Sequence, residues 1–296
     1  MKILITGCNG LIGSHLVKHL KLNFDNCLID GCDIIDLNDI TKKYINNFFH
    51  ISVDDYCSRY QYDIVIHCAS TVGQKEVVLN HQDVIRSNVN GLMNILKQYK
   101  DSKHIFLSTS EVYGLIDSDN IFHESQLLNV NSFDKRSIYA ISKILCENIL
   151  QFYDNWVILR LFNIYGKYFR KDDTRAIPSF IKSIKENNKI IIHGDGSQTR
   201  EFTSVNDLCK IIELIILKEI NKQIFNITSQ MSYTINDVSD LIMEYIPNIK
   251  KEYINFEYNR VNKRKGSNEN LYRILGYNNW NRLEDEMEDI LRYHIK

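Results

Sequence analysis

An α/β fold built on a parallel, doubly wound sheet is what the sequence predicts, and three observations carry that expectation. β-rich apolar runs alternate with segments of helical period and no hairpin signal separates them, which calls for crossover connections. The first run, Ile3-Leu4-Ile5, passes through Gly7, Gly10 and Gly13 into a helical stripe of Leu11, Ile12, Leu16, Val17 and Leu20. The second run, Cys27 to Asp33, ends in an acid 20 residues beyond Gly13.

The glycine spacing between strand and helix suits a pyrophosphate. Glycine permits a turn with φ > 0, lets the backbone of Asn9, Gly10, Leu11, Ile12 and Gly13 approach an anion, and lets the helix pack tightly on the strand. The helix N-terminus adds partial positive charge. A carboxylate where Asp33 stands can hold the ribose diol of an adenosine, with Asp30 as the alternative. No Lys or Arg lies between Asp33 and Lys42 to receive a 2′-phosphate, so NAD is expected rather than NADP.

Residues 36–49 read as a loose helix and Ile51 to Val53 as a short strand, after which Asp54 or Asp55 can meet an adenine edge. Asp63 to Ser70 is a strong strand whose small residues Cys68, Ala69 and Ser70 let backbone lie close to a cofactor. Val84 to Tyr99 reads as a helix with an apolar stripe too wide for one sheet face, so a partner surface is expected as well. His104 to Gly114 is a fifth strand running into Ser108, Thr109, Ser110 and Glu111, at the end where open α/β sheets bind ligands. Ser137 begins a helix to about Asp154 that sets Tyr139 and Lys143 at i, i+4 on one face.

Composition narrows the partners. A chain of 296 residues buries an ample core, and a formal net charge of −1 leaves no electrostatic footprint for nucleic acid or an anionic membrane. No apolar run nears the roughly 18 residues of a membrane span and no signal-peptide pattern precedes the first strand, so a cytoplasmic protein is expected. The seven cysteines form no C-x-x-C pair and the nine histidines no H-E-x-x-H pattern; reduced thiols and no metal are expected.

Glycine loop, acid, hydroxyl-bearing strand end and Tyr139-x-x-x-Lys143 helix, in that order, resemble the extended short-chain dehydrogenase/reductases of the NAD-dependent epimerase/dehydratase kind, which modify nucleotide sugars. The resemblance continues through Phe162-Asn163-Ile-Tyr-Gly166, Arg175-Ala-Ile-Pro178, the stretch 194–202 and Arg264-Lys-Gly-Ser267. It implies a Rossmann-type domain over residues 1–166, rejoined by 200–230, and a smaller C-terminal substrate lobe over 167–199 and 231–296. It also implies sugar-nucleotide contacts at Asn163, Arg175, Ile177, Arg200 and Arg264, a supporting place for Asn88, and a homodimer built from the helices containing Val84 and Tyr139.

The same resemblance assigns chemistry. Tyr139 is the base for a sugar hydroxyl, with Lys143 and the oxidised nicotinamide lowering a phenol pKa of about 10, and Thr109 orients the same oxygen. The string Ser-Thr-Ser-Glu-Val-Tyr-Gly at 108–114 looks like UDP-glucuronate decarboxylases and resembles GDP-mannose 4,6-dehydratase, with Ser110 and Glu111 managing protons at C5. The Asp of dTDP-glucose dehydratases is absent at Ser110, which counts against that subgroup. Arg264 meets a substrate carboxylate or only diphosphate, and Arg200 is a second diphosphate candidate because a guanidinium fork suits phosphate. The expected activity is C4 oxidation of a nucleotide sugar, UDP-sugars favoured, followed by decarboxylation or dehydration and return of the hydride. The alternatives are a 4-epimerase and a non-catalytic NAD or nucleotide sensor.

Overall fold

The computed structural model describes residues 1–114, 120–255 and 263–295. Seven parallel strands make the central sheet: β1 (Lys2–Thr6), β2 (Leu28–Asp33), β3 (Asn47–His50), β4 (Ile64–His67), β5 (Lys103–Thr109), β6 (Trp156–Leu161) and β7 (Gln223–Ile227). Their order is β7-β6-β5-β4-β1-β2-β3, so the direction of winding reverses between β1 and β4. The crevice outside the carboxyl ends of those two strands is where such sheets take ligands.

Strand alternation sorts the core into two layers. Ile3, Ile5, Ile105, Leu107, Val157 and Leu159 join one cluster with Leu16, Val17 and Leu20 of the first helix (Leu11–Asn23) and with Leu208 and Ile212 of the helix Val205–Leu217. Leu4 and Val65 face the other way with Ile95, and Phe106 and Ile158 do so with Leu92, Leu96, Cys146 and Leu150. A third cluster lies apart, where Ile177, Phe180, Ile181, Ile190, Val238, Ile242, Met287 and Ile290 pack together. Leu271, Leu275 and Tyr277 return to the sheet core instead. Residues 256–262 of the expected substrate lobe lie outside the described residues. No helix among the described residues is long and apolar enough to cross a membrane.

Two elements differ from the sequence expectation. The third strand is Asn47–His50, in register from Asn47 opposite Asp30 to His50 opposite Asp33, and not Ile51 to Val53. The helix before it is correspondingly short, Asp39–Tyr44, because the Asn38 side chain accepts from Thr41 N at 2.8 Å and fixes the start there. The expected Val84 helix is a composite of His81–Ile85, a π-turn over Arg86–Asn90 and Gly91–Gln98. The Tyr139 helix spans Ser137–Leu150.

Candidate active site

The glycine loop has three distinct constraints. Gly7 sits at φ +66°, and a Cβ there would come within 2.8 Å of the Ala69 backbone, which brings the loops after β1 and β4 together. A Cβ on Gly13 would stand 2.3 Å from Gly7 O and 2.7 Å from Cys8 Cα, so close packing of helix on turn requires glycine. Gly10 is different: its backbone is extended at φ −71°, and a Cβ would meet nothing nearer than Gly7 O at 3.4 Å. No protein neighbour demands glycine at that helix start, where an approaching anion would.

Asp33 closes β2 beside this loop. Its carboxylate accepts from Asn9 N at 2.8 Å and from Ile35 N at 3.3 Å, and burial pushes its pKa up against those hydrogen bonds. Asp30 is committed elsewhere, accepting from Asn47 Nδ2 and the Tyr62 hydroxyl, so Asp33 is the acid at the strand end. Asp54 is also engaged: Arg86 Nε donates to it at 2.9 Å and the Ser52 hydroxyl donates to its other oxygen. Cys68, Ala69 and Ser70 follow β4 directly, with Cys68 N donating to Thr6 O and Ala69 N to the Thr6 hydroxyl.

The second half of the crevice gathers Tyr139, Thr109, Ser70 and Glu111. The Ser70 and Thr109 side chains lie near enough to the Tyr139 hydroxyl to favour its ionised form. Thr109 Oγ1 also accepts from Glu111 N at 3.2 Å, which starts a short 3-10 turn over Ser110–Tyr113 and buries Ser110. Lys143 is 1 % exposed and its Nζ donates to Leu107 O at 2.8 Å, 6.0 Å from the centre of the Tyr139 ring. Asn88 links three elements: its Oδ1 accepts from Ser70, its Nδ2 donates to Ser142, and its carbonyl accepts from the Cys146 thiol.

The protein's own groups act against the lowering of the phenol expected from Lys143 and the oxidised nicotinamide together. Burial first, and the Glu111 carboxylate second, push Tyr139 up to about 12, while Ser70, Thr109 and Arg175 oppose the rise. Burial likewise pulls Lys143 down to about 8. The protein's own groups therefore hold Tyr139 as a phenol, about 7 kcal/mol short of ionisation at pH 7.

Arg264 is the most exacting group in the crevice. Its side chain is half-buried and donates through Nη2 to Gly114 O at 3.0 Å, while the buried Nε has no partner among the described residues. Burial lowers its pKa; Glu111 opposes that shift and Arg136 adds to it. Arg175 is pinned by Asp173 in a two-pronged pair, reaches Ile164 O, and acts on Tyr139 through space. Asn163, at φ +35°, donates to Glu201 O at 3.0 Å. Arg200 lies in Thr199–Glu201, paired with Tyr233, and its Nη1 donates to Thr199 O.

Two expected site residues turn away. The Ser108 hydroxyl donates to Glu147 at 2.5 Å on the sheet face opposite to that of Leu107, because successive strand side chains alternate. Ile177 packs its side chain into the third apolar cluster beside Phe180 and Ile181. Sequence reasoning missed Glu147 and Arg160, whose Nη2 meets Glu147 Oε2 at 2.7 Å, and Arg136 beside Arg264. Glu147 was signalled by its spacing, one turn beyond Lys143 on the same helix face.

Known proteins fit this arrangement. The chain is 32 % identical over 262 residues to a UDP-N-acetyl-alpha-D-glucosaminuronate decarboxylase of Bacillus cytotoxicus, covering 80 % of this chain and 78 % of that one. It is 27 % identical over 292 residues to UDP-glucuronic acid decarboxylase 4 of Arabidopsis thaliana, covering 94 % of this chain but only 65 % of that relative's length. The solved structure of a UDP-glucuronic acid 4-epimerase from Bacillus cereus in complex with NAD superposes with a TM-score of 0.84 at 25 % identity, covering 100 % of this chain and 99 % of the other. The family model described as NAD dependent epimerase/dehydratase matches residues 3–228, and the chain belongs to that family.

Proposed function

We propose that the chain binds NAD and a nucleotide sugar, UDP-linked by preference, and acts on a sugar uronate through C4 oxidation, loss of carbon dioxide and restoration of the C4 hydroxyl. The observation that carries this reading is Arg264, a half-buried guanidinium within electrostatic reach of Glu111 whose buried Nε has no partner among the described residues, since such a group is costly without an anion to receive it. A sugar carboxylate satisfies it in a two-pronged geometry, and the proposal takes that anion rather than the diphosphate as its partner.

The loop from Gly7 to Gly13 would hold the NAD pyrophosphate, Asp33 the adenosine ribose, and the backbone at Cys68, Ala69 and Ser70 the middle of the cofactor. Gly10, which no protein contact explains, supports that fit. NAD supplies a hydride acceptor. Tyr139 takes the proton of the C4 hydroxyl and returns it, and Thr109 fixes that oxygen. Lys143, held on Leu107 O, keeps a positive charge within the same pocket. Oxidation at C4 makes the C5 carboxylate a β-keto acid, which loses carbon dioxide readily. Glu111 and Ser110 then deliver a proton to C5. Asn163, Arg175 and Arg200 are proposed to hold the sugar nucleotide, as are the backbone atoms of Ile177 at the start of its helix.

The proposal divides the chain as 1–166 with 200–230 for NAD and 167–199 with 231–296 for the sugar nucleotide, which the separate apolar cluster around Phe180 and Ile242 supports. Cytoplasmic location and a homodimer belong to the same reading; Met93, Leu145 and Phe152 are the exposed apolar side chains on and just beyond the two helices concerned. A 4-epimerase is the second reading, supported by the likeness to the Bacillus cereus enzyme. Incubation of the protein and NAD with UDP-, dTDP-, GDP- and CDP-sugars, read by mass spectrometry, decides. Loss of 44 Da, the mass of carbon dioxide, from a uronate supports the proposal. Loss of water, or an altered sugar of unchanged mass, replaces it with a dehydratase or an epimerase.

A further inference from the structure

Three neighbouring strands place one polar residue each in a single cross-strand row: Ser108 on β5 lies opposite Arg160 on β6, which lies opposite Asn226 on β7. Arg160 is 4 % exposed and spends every arm of its guanidinium on this row's surroundings. Nε and Nη2 donate to the Glu147 carboxylate at 2.7 to 3.2 Å, and Nη1 donates to the Tyr113 hydroxyl at 3.0 Å and to Glu124 O at 3.1 Å. Tyr113 in turn donates to Asn226 Oδ1 at 2.7 Å, and Asn226 N donates to the Glu124 carboxylate. Ser108 completes the row by donating to Glu147.

The partners of Arg160 belong to the two elements that carry the chemistry. Glu147 sits on the helix of Tyr139 and Lys143, two turns beyond Tyr139 on the same face. Tyr113 ends the short turn that begins after Thr109 and contains Ser110 and Glu111. A rigid planar fork bound at one end to the helix and at the other to the turn fixes their separation, as a flexible ammonium could not.

We propose that Arg160 is a positioning residue that registers the Tyr139 helix against the Glu111 turn, with Glu147 and Tyr113 as its two grips. It touches neither ligand. Its role is to hold the proton-accepting phenol and the C5 proton donor at a fixed distance, and it rests on the reading that these groups act on one sugar. Misplacing such groups by about 1 Å costs on the order of 100-fold in rate.

Tyr113→Phe is the informative variant, because it keeps the ring stacked on Phe122 and removes only the hydroxyl, with its bonds to Arg160 and Asn226. Two measurements are made on the full chain: steady-state kinetics on the sugar nucleotide that the mass panel identifies, and amide hydrogen exchange with mass spectrometry. The expected result is a fall in kcat of about tenfold with KM changed less than twofold and NAD affinity unchanged. Faster exchange in the Ser137–Leu150 helix, which the substitution does not touch in sequence, is expected with it. Arg160→Lys, which retains a charge for Glu147 but loses the fork, should reproduce both effects. Wild-type kcat in Tyr113→Phe, or loosened exchange confined to residues around 113, overturns the proposal. A wild-type chain that turns over no nucleotide sugar overturns the proposed function instead, and the exchange data alone then decide whether Arg160 couples the two elements.

Discussion

Gly10 and Gly13 separate binding from folding within one loop. Gly10→Ala adds a methyl whose nearest neighbour is 3.4 Å away, at φ −71°, so the folded backbone needs no change. Alanine is a poorer N-cap than glycine by roughly 0.5–1 kcal/mol, and the stiffer unfolded chain returns about 0.4–1 kcal/mol, leaving a net change of about zero. Gly13→Ala forces a Cβ to 2.3 Å from Gly7 O and 2.7 Å from Cys8 Cα, where only backbone can yield. Overpacking of that kind costs about 1–3 kcal/mol, or a fall in melting temperature of roughly 2–12 °C. The expected pattern is a Gly10→Ala protein that melts within about 2 °C of wild type yet binds NAD 10- to 100-fold more weakly, roughly 1.4–2.8 kcal/mol. Gly13→Ala should melt early. Isothermal titration calorimetry with NAD and differential scanning fluorimetry measure both. Wild-type NAD affinity in a folded Gly10→Ala protein would refute the placement of the pyrophosphate on this loop.

Four further substitutions have expected outcomes. Burial lowers the Lys143 pKa from 10.5 to about 8, so the folded state binds that proton more weakly than the unfolded one, and folding stability from this group is least below pH 8 and recovers between 8 and 10.5. Lys143→Met removes a penalty of about 3 kcal/mol and a charged hydrogen bond to Leu107 O of about 1.5–3 kcal/mol, so it should melt at or slightly above the wild-type temperature at pH 7, without activity. Its advantage should shrink as thermal scans move from pH 8 to 10. Tyr139→Phe should lose at least about 1,000-fold in turnover with NAD affinity retained, whereas Glu111→Gln, by removing a charge that raises the phenol, should move the acid limb of its residual kcat/KM profile to lower pH. Asp33→Asn should weaken NAD about tenfold and narrow its preference over NADP, since the Arg170 guanidinium lies within electrostatic reach of Asp33 and would remain to meet a 2′-phosphate; calorimetry with both dinucleotides tests this.

The sheet was legible because its strands announce themselves twice, as β-branched runs and as alternating faces. Ile3-Leu4-Ile5, Ile64-Val65-Ile66 and Val157-Ile158-Leu159 are of that kind, and their order of appearance forced parallel crossovers. Asn47-Phe48-Phe49-His50 lacks β-branching and follows a helix whose start depends on one side-chain cap, so its position shifted by four residues. In the candidate site, pattern and resemblance pointed to Asp33 and Thr109, which stand at strand ends, and to Tyr139 and Lys143, which share one helix. Ser108 could have been removed by strand alternation, and Ile177 by the helical stripe it forms with Phe180, Ile181 and Ile184. The phenol's elevation was not legible, since it depends on how completely the crevice excludes water around Tyr139 and on the direction in which Glu111 points.

The π-turn at Arg86–Asn90 makes chain length itself a functional quantity. One extra residue in that turn lets Asn88 face the Tyr139 helix, while three residues later Gly91 lies against Val53, where a Cβ would stand at 2.4 Å, and Asn94 donates to Val53 O and Tyr56 O. An ordinary α-helix would rotate one set by about 100° relative to the other. Deleting Val89 would therefore detach Asn88 from Ser70 and Ser142 without altering a single polar group, and homologues that fold this way are expected to conserve the number of residues between Ser70 and Asn94 more strictly than their identities.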